Sequence, residues 1–121
     1  MSQDKPIQER RNSPRFEGNI PVKISSSEFD VVTETKNLSR TGAYCRVNKY
    51  IEPMTKLRLH LLIPFKRSNK IVTKKVSCGG VIVRTESIPG NSYYNIAIYF
   101  NDIQNKDGDY ISEYVSCMLG T

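Results

Sequence analysis

From Asn19 to Ser25 the apolar residues Ile20, Val22 and Ile24 alternate with Asn19, Pro21, Lys23 and Ser25, the period-2 pattern of a half-buried strand. Pro21 falls among the outward positions and, lacking an N–H, predicts an edge or bulged strand. A polar turn over Ser25 to Glu28 leads to a second strand, about Phe29 to Lys36, rich in Val and Thr. Asn37 to Gly42 has turn chemistry, because Asn and Ser bond their own backbone and Gly tolerates positive φ. A third strand follows at about Ala43 to Val47, which sets that loop at one end of a barrel. Leu57, Leu59, Leu61 and Ile63 then mark a fourth strand that Pro64 is expected to end.

The fifth strand follows a hairpin crowded with Lys66, Arg67, Lys70, Lys74 and Lys75 and runs to about Thr85. Within it Cys78-Gly79-Gly80 predicts a bulge, where glycine lets a strand bend around a small barrel. Across that bulge either Val81 and Val83 or Ile82 and Arg84 point inward. Ile88 to Ser92 reads as a turn, and Tyr94, Ile96, Ile98 and Phe100 alternate in a sixth strand. Asp107-Gly108-Asp109 offers a helix start. Ile111, Tyr114, Val115, Met118 and Leu119 recur at helical spacing behind it, with Gly120 as the stop. The pattern is an all-β barrel with a C-terminal α-helix.

Met1 to Pro14 joins no core, since Ile7 is its one aliphatic residue past Met1, and it reads as an exposed arm. Residues 1–9 are expected to be flexible and residues 10–121 to form a single domain, consistent with a chain of 121 residues. The start has no apolar run of a secretion signal, and no window reaches the ~18 apolar residues of a membrane span, so a cytoplasmic protein is expected. A formal net charge of +6 favours an anionic partner. Cys45, Cys78 and Cys117 are too widely spaced for a zinc site or a disulfide framework and read as reduced thiols. His60 has no Cys or His partner at ligand spacing. No nucleophile-and-base set, glycine-rich phosphate loop or spaced carboxylate pair is evident, so an enzyme is not expected.

Two polar motifs remain. Arg10-Arg11-Asn12-Ser13-Pro14-Arg15 contains Arg-x-x-x-Arg as Arg11 and Arg15, and Pro14 holds Ser13 extended. The two arginines then stand about 13 Å apart along the backbone at full extension. A guanidinium fork pairs two phosphate oxygens at once and stacks on purines, which suits a nucleotide better than a simple anion. In Asn37-Leu38-Ser39-Arg40-Thr41-Gly42, an amide, a hydroxyl and a close-approach glycine offer what a guanine edge and a phosphate require.

Arg-x-x-x-Arg followed about twenty residues later by Asn/Asp-x-Ser-x-x-Gly and a strand resembles the PilZ domain. Arg11, Arg15, Asn37, Ser39 and Gly42 match each defined position, and the likeness extends through Gly80 to Arg84 and Tyr94 to Phe100. Ala97 departs from it, standing where the family often has glycine. The resemblance implies a six-stranded antiparallel split β-barrel that binds cyclic di-GMP, with no other cofactor. It assigns phosphate and guanine contacts to Arg11 and Arg15, and a guanine-surrounding loop to Asn37, Ser39 and Gly42. Arg10 adds a third cation that could favour an intercalated ligand dimer. The implied function is a receptor that re-places its N-terminal arm on binding and signals to a downstream protein. Without the ligand, residues up to about Arg15 are expected to be variably placed, with Asn37, Ser39 and Gly42 already in position. The alternative is a ligand-independent adaptor or RNA-binding barrel using Lys66 to Lys75. Against nucleic acid, Tyr94 alternates away from Tyr93 and Tyr99, leaving too few aromatics on one face for a stacking platform.

Overall fold

The computed structural model describes residues 14–120. Six antiparallel strands, β1 (Pro21–Ser25), β2 (Asp30–Ser39), β3 (Gly42–Val47), β4 (Lys56–Arg67), β5 (Lys70–Ser87) and β6 (Tyr94–Asp102), precede one helix, α1 (Asn105–Leu119). The strands close in the order β1-β2-β3-β6-β5-β4. The inward positions read from the alternation form the core: Ile20, Val22, Ile24, Leu57, Leu59, Leu61, Ile63, Ile96, Ile98 and Phe100 are all buried. A fully buried side chain of this size stabilises the fold by roughly 1.5–3 kcal/mol through removal from water.

Two prolines are accommodated differently from the sequence expectation. β1 is no edge, since it pairs with both β2 and β4. Pro21 is its first residue and precedes Val22, where pairing with β4 begins, so the missing N–H removes no ladder bond there. Pro64 does not end β4, which continues to Arg67. Pairing of β4 with β1 stops at Leu61, so beyond it β4 has an unpaired side that tolerates proline. Past this point β4 and β5 overhang the barrel as a two-stranded ribbon. It closes on Ser68 and Asn69, both at positive φ (49° and 69°), the backbone of a twist-matched two-residue hairpin.

α1 packs beneath the ribbon and against β2. Phe65 meets Tyr110 and Tyr114 with ring centroids 6.0 and 6.4 Å apart. Ile111, Tyr114 and Val115 are buried, whereas Met118 and Leu119 are about half exposed. The helix starts before Asp107: its N-cap is Gln104, which makes no capping side-chain bond, and Asp107 lies in the first turn, where a carboxylate suits the positive end of the helix dipole. Gly120 ends it at φ 80°, as expected of a left-handed C-cap.

Candidate functional site

β2 runs three residues further than its composition suggested, so Asn37 and Ser39 are strand residues and only Arg40 and Thr41 turn the chain into β3. The register between β2 and β3 shifts between Thr35 and Asn37, making Lys36 a bulge. Thr35 and Leu38 both face inward as a result, and Asn37 is set beside Tyr44 on the outer face. β5 has a second such device. Its register with β6 shifts between Ile82 and Arg84, so Ile82 is buried while Val83 and Arg84 are both exposed. Neither inward pair considered for this stretch survives intact, because a bulge at Val83 breaks the alternation. A further shift lies between Gly79 and Val81, where a bulge was expected.

These strands wall a groove of about 500 Å³ lined by Arg15, Asn37, Thr41, Gly42, Ala43, Tyr44, Val83, Arg84, Ala97, Ile98 and Tyr99. Ala97 is the register partner of both Tyr44 and Arg84, so a methyl group forms the floor between an aromatic ring and a guanidinium. Tyr44 donates to Glu86 Oε1 at 2.7 Å, and Arg84 Nε pairs with Glu86 Oε2 at 2.9 Å while its guanidinium lies 5.9 Å from the Tyr44 ring centre. The carboxylate acceptor raises the Tyr44 pKa. On the opposite wall Arg15 donates from a guanidinium nitrogen to Asn37 Oδ1. Partial desolvation pulls the Arg15 pKa down. The guanidinium nonetheless stays charged.

Arg15 is held by its neighbour. Phe16 exchanges backbone hydrogen bonds with Leu38 at 2.9 and 3.0 Å and sets its ring edge-on to Tyr114, centroids 5.8 Å apart. The C-terminal end of the arginine motif is thus joined to β2 and α1 through Phe16, which sets Arg15 at the groove. Arg10 and Arg11 lie outside the described residues, as does the expected variable placement of the arm before residue 14.

The remaining motif residues divide by depth. Ser39 is fully buried, and its hydroxyl accepts from the Thr41 N–H at 3.2 Å and sits 3.2 Å from Thr41 Oγ1, so it shapes the turn from beneath. Gly42 is required by β6: a Cβ there would stand 2.3 Å from the Ile98 carbonyl oxygen. Arg40 turns away from the groove to α1, where it pairs with Asp109 at 2.7 Å, reaches Ser112 at 3.3 Å and covers Gly108. Tyr44, Arg84 and Tyr99 were not singled out as site residues. Their outward parity was readable from the alternation of β3 and β6, but Arg84 depends on a bulge that no residue type marked.

The lysine-rich segment is dispersed by the ribbon's alternation. Lys74 lies 5.4 Å from the Tyr110 ring centre, and Arg67 pairs with Glu113 at 3.6 Å, so both brace α1. Lys66 and Lys75 face the other side. Cys45 and Cys78 are buried, which pushes each thiol up to about 12, and Cys117 is exposed. Among the described residues there is no cluster able to hold a metal ion, and no helix is long and apolar enough to cross a membrane.

The class of protein so defined is a small closed six-stranded antiparallel barrel with a packed C-terminal helix and a groove that carries Arg15 and Arg84. The sequence matches the PilZ domain over residues 9–116, and the chain belongs to that family of cyclic di-GMP receptors, whose members generally act as non-enzymatic receptors and adaptors. Among solved structures it is similar to the Bacillus subtilis inhibitor of motility, MotI/DgrA, with a TM-score of 0.76 at 18% identity over 91% of this chain. The chain spans about half of that neighbour, 51% of its length. It is also similar to the PilZ domain of CeSA from a cellulose-synthesizing bacterium, with a TM-score of 0.57 and 17% identity, covering 87% of this chain and 97% of that one. No curated protein matches the sequence.

Proposed function

We propose that this chain binds cyclic di-GMP in the groove between Arg15 and Arg84 and that binding re-places the N-terminal arm to alter contact with a partner protein in the cytoplasm. The observation that carries the reading is the Arg15 guanidinium, partly desolvated and held against the neutral amide of Asn37 at the edge of the groove. A cation so placed gains from an anionic ligand that restores its lost solvation. Arg10 and Arg11 precede Arg15 in the arm that binding would re-place. They add charge-assisted contacts to phosphate, and the differential contacts made by the closed arm supply the free energy of the switch. Asn37 offers hydrogen bonds to a guanine edge, Gly42 keeps the floor low, and Ser39 maintains the turn.

Calorimetric titration with cyclic di-GMP tests this. Arg15→Ala is expected to weaken binding by about 2 kcal/mol, roughly thirtyfold, through loss of a charge-assisted contact. The mutant should stay folded because Arg15 lies outside the core. No heat with the wild type, or equal affinity in both, refutes the assignment.

A further inference from the structure

The outer face shared by β1, β2, β4 and the ribbon carries aliphatic side chains that neither core nor helix covers. Val32 is 79% exposed, Leu62 44% and Ile71 68%. Strand register places them on one surface. Val32 pairs with Lys23, Lys23 with His60, Leu62 with Lys75, and Lys66 with Ile71. Their strand neighbours Val22, Leu61, Ile63 and Phe65 are buried, which confirms that this set points outward. A hollow of about 320 Å³ is lined by Val32 and Leu62 together with Pro21, His60 and Lys75. Scattered single aliphatics on a surface are ordinary; here Val32 and Leu62 border one hollow and Ile71 continues the same outward face beyond Pro64 and Thr73, a grouping that marks an interaction site.

The charges around this face select the occupant. Lys23 is paired with Asp30 at 3.8 Å, whereas among the described residues Lys66 and Lys75, which flank Leu62 and Ile71, form no ion pair. We propose that this face docks an acidic, amphipathic segment of another protein, seating an aliphatic side chain between Val32 and Leu62 and carboxylates against Lys66 and Lys75. Glu34, opposite Pro21, marks the margin on the β2 side. A uniformly anionic bilayer would press headgroups against Glu34 and Asp30 and has no side chain to fill the hollow. A second copy of this chain would bring a surplus of like cations together. The inference goes beyond the nucleotide reading and does not depend on it.

The experiment titrates isotope-labelled protein, without nucleotide, with a synthetic helix-forming peptide bearing Leu at positions i, i+4 and i+7 and Glu on the flanking positions. Amide shift changes should saturate and centre on Val32, Leu62 and Ile71. They should vanish with a peptide of equal charge carrying Ser for Leu, and with one carrying Lys for Glu. Leu62→Asp, whose side chain points to solvent, and the pair Lys66→Glu and Lys75→Glu should each lower affinity at least tenfold while the remaining spectrum keeps its dispersion. Shifts spread over all lysines, or unchanged affinity in Leu62→Asp, overturn the proposal. It is equally overturned if phosphatidylserine vesicles bind here and the peptide does not, or if Leu62→Asp abolishes a self-association through this face.

Discussion

Single side chains carry two kinds of electrostatic strain in this domain. Arg15 is partly desolvated by burial; His60 is a ring among cations. Burial, then the charges of Lys75, Arg58 and Lys23, hold the His60 pKa below its ordinary value of 6.5, and Nδ1 lies 2.8 Å from Ser77 Oγ. The unfolded chain therefore takes up that proton more readily. Stability owed to neutral His60 is present above about pH 6.5 and is lost as pH falls through the lower folded value. An NMR titration of the ring should give a midpoint below 6.5 that rises in Lys75→Gln; a midpoint unmoved by that change would remove Lys75 as a cause. Neither environment was readable from residue type, since His60 in sequence is only a polar residue between Leu59 and Leu61.

At the scale of elements, alternation was sufficient to place the six strands and the helix, because each inward side chain had a core to join. It failed where the backbone departs from strict period 2. Asn37 and Arg84 reach the groove through bulges at Lys36 and Val83, positions held by residue types that carry no bulge signal. Pro64 misled for a related reason: a proline ends a strand only where its N–H is needed, and the unpaired side of β4 does not need it. The motif residues Arg15, Asn37 and Gly42 were legible as a set through family resemblance, while the aromatic and cationic wall of Tyr44, Arg84 and Tyr99 follows from pairing. That wall offers its own test. Ala97 sits between Tyr44 and Arg84 with its side chain outward, so Ala97→Leu should fill the groove and lower cyclic di-GMP affinity more than tenfold while leaving the core intact. Undiminished binding to a folded Ala97→Leu variant would move the ligand elsewhere.

Across the whole molecule, ring closure depends on pairings distant in sequence, β1 with β4 and β3 with β6, while α1 ties the motif region to the ribbon. Phe16 rests on Tyr114 and Arg40 on Asp109, so residues beside Arg15 and in the β2–β3 turn contact one helix, which in turn braces the ribbon through Glu113 and Arg67. A ligand that bridges arm and barrel should consequently stabilise the domain as one unit. At a hundred times its dissociation constant the gain is about 2.7 kcal/mol, a rise of roughly 10 °C in midpoint for a chain of this size. Thermal melts with and without cyclic di-GMP should show that rise in the wild type and a much smaller one in Arg15→Ala at equal ligand. A midpoint unchanged by ligand in the wild type would contradict the reading.

The Tyr44, Glu86 and Arg84 cluster also makes the groove optically addressable. The chain has seven tyrosines and no tryptophan, so phenol emission is not masked by indole. A phenol donating to a carboxylate, as Tyr44 does to Glu86, is quenched; a phosphate that draws Arg84 away from Glu86, or a purine stacked on the ring, alters that quenching. Unlabelled protein should therefore report ligand arrival as a saturable change in tyrosine emission that Tyr44→Phe largely removes. A full-sized signal in Tyr44→Phe would assign the response to another ring.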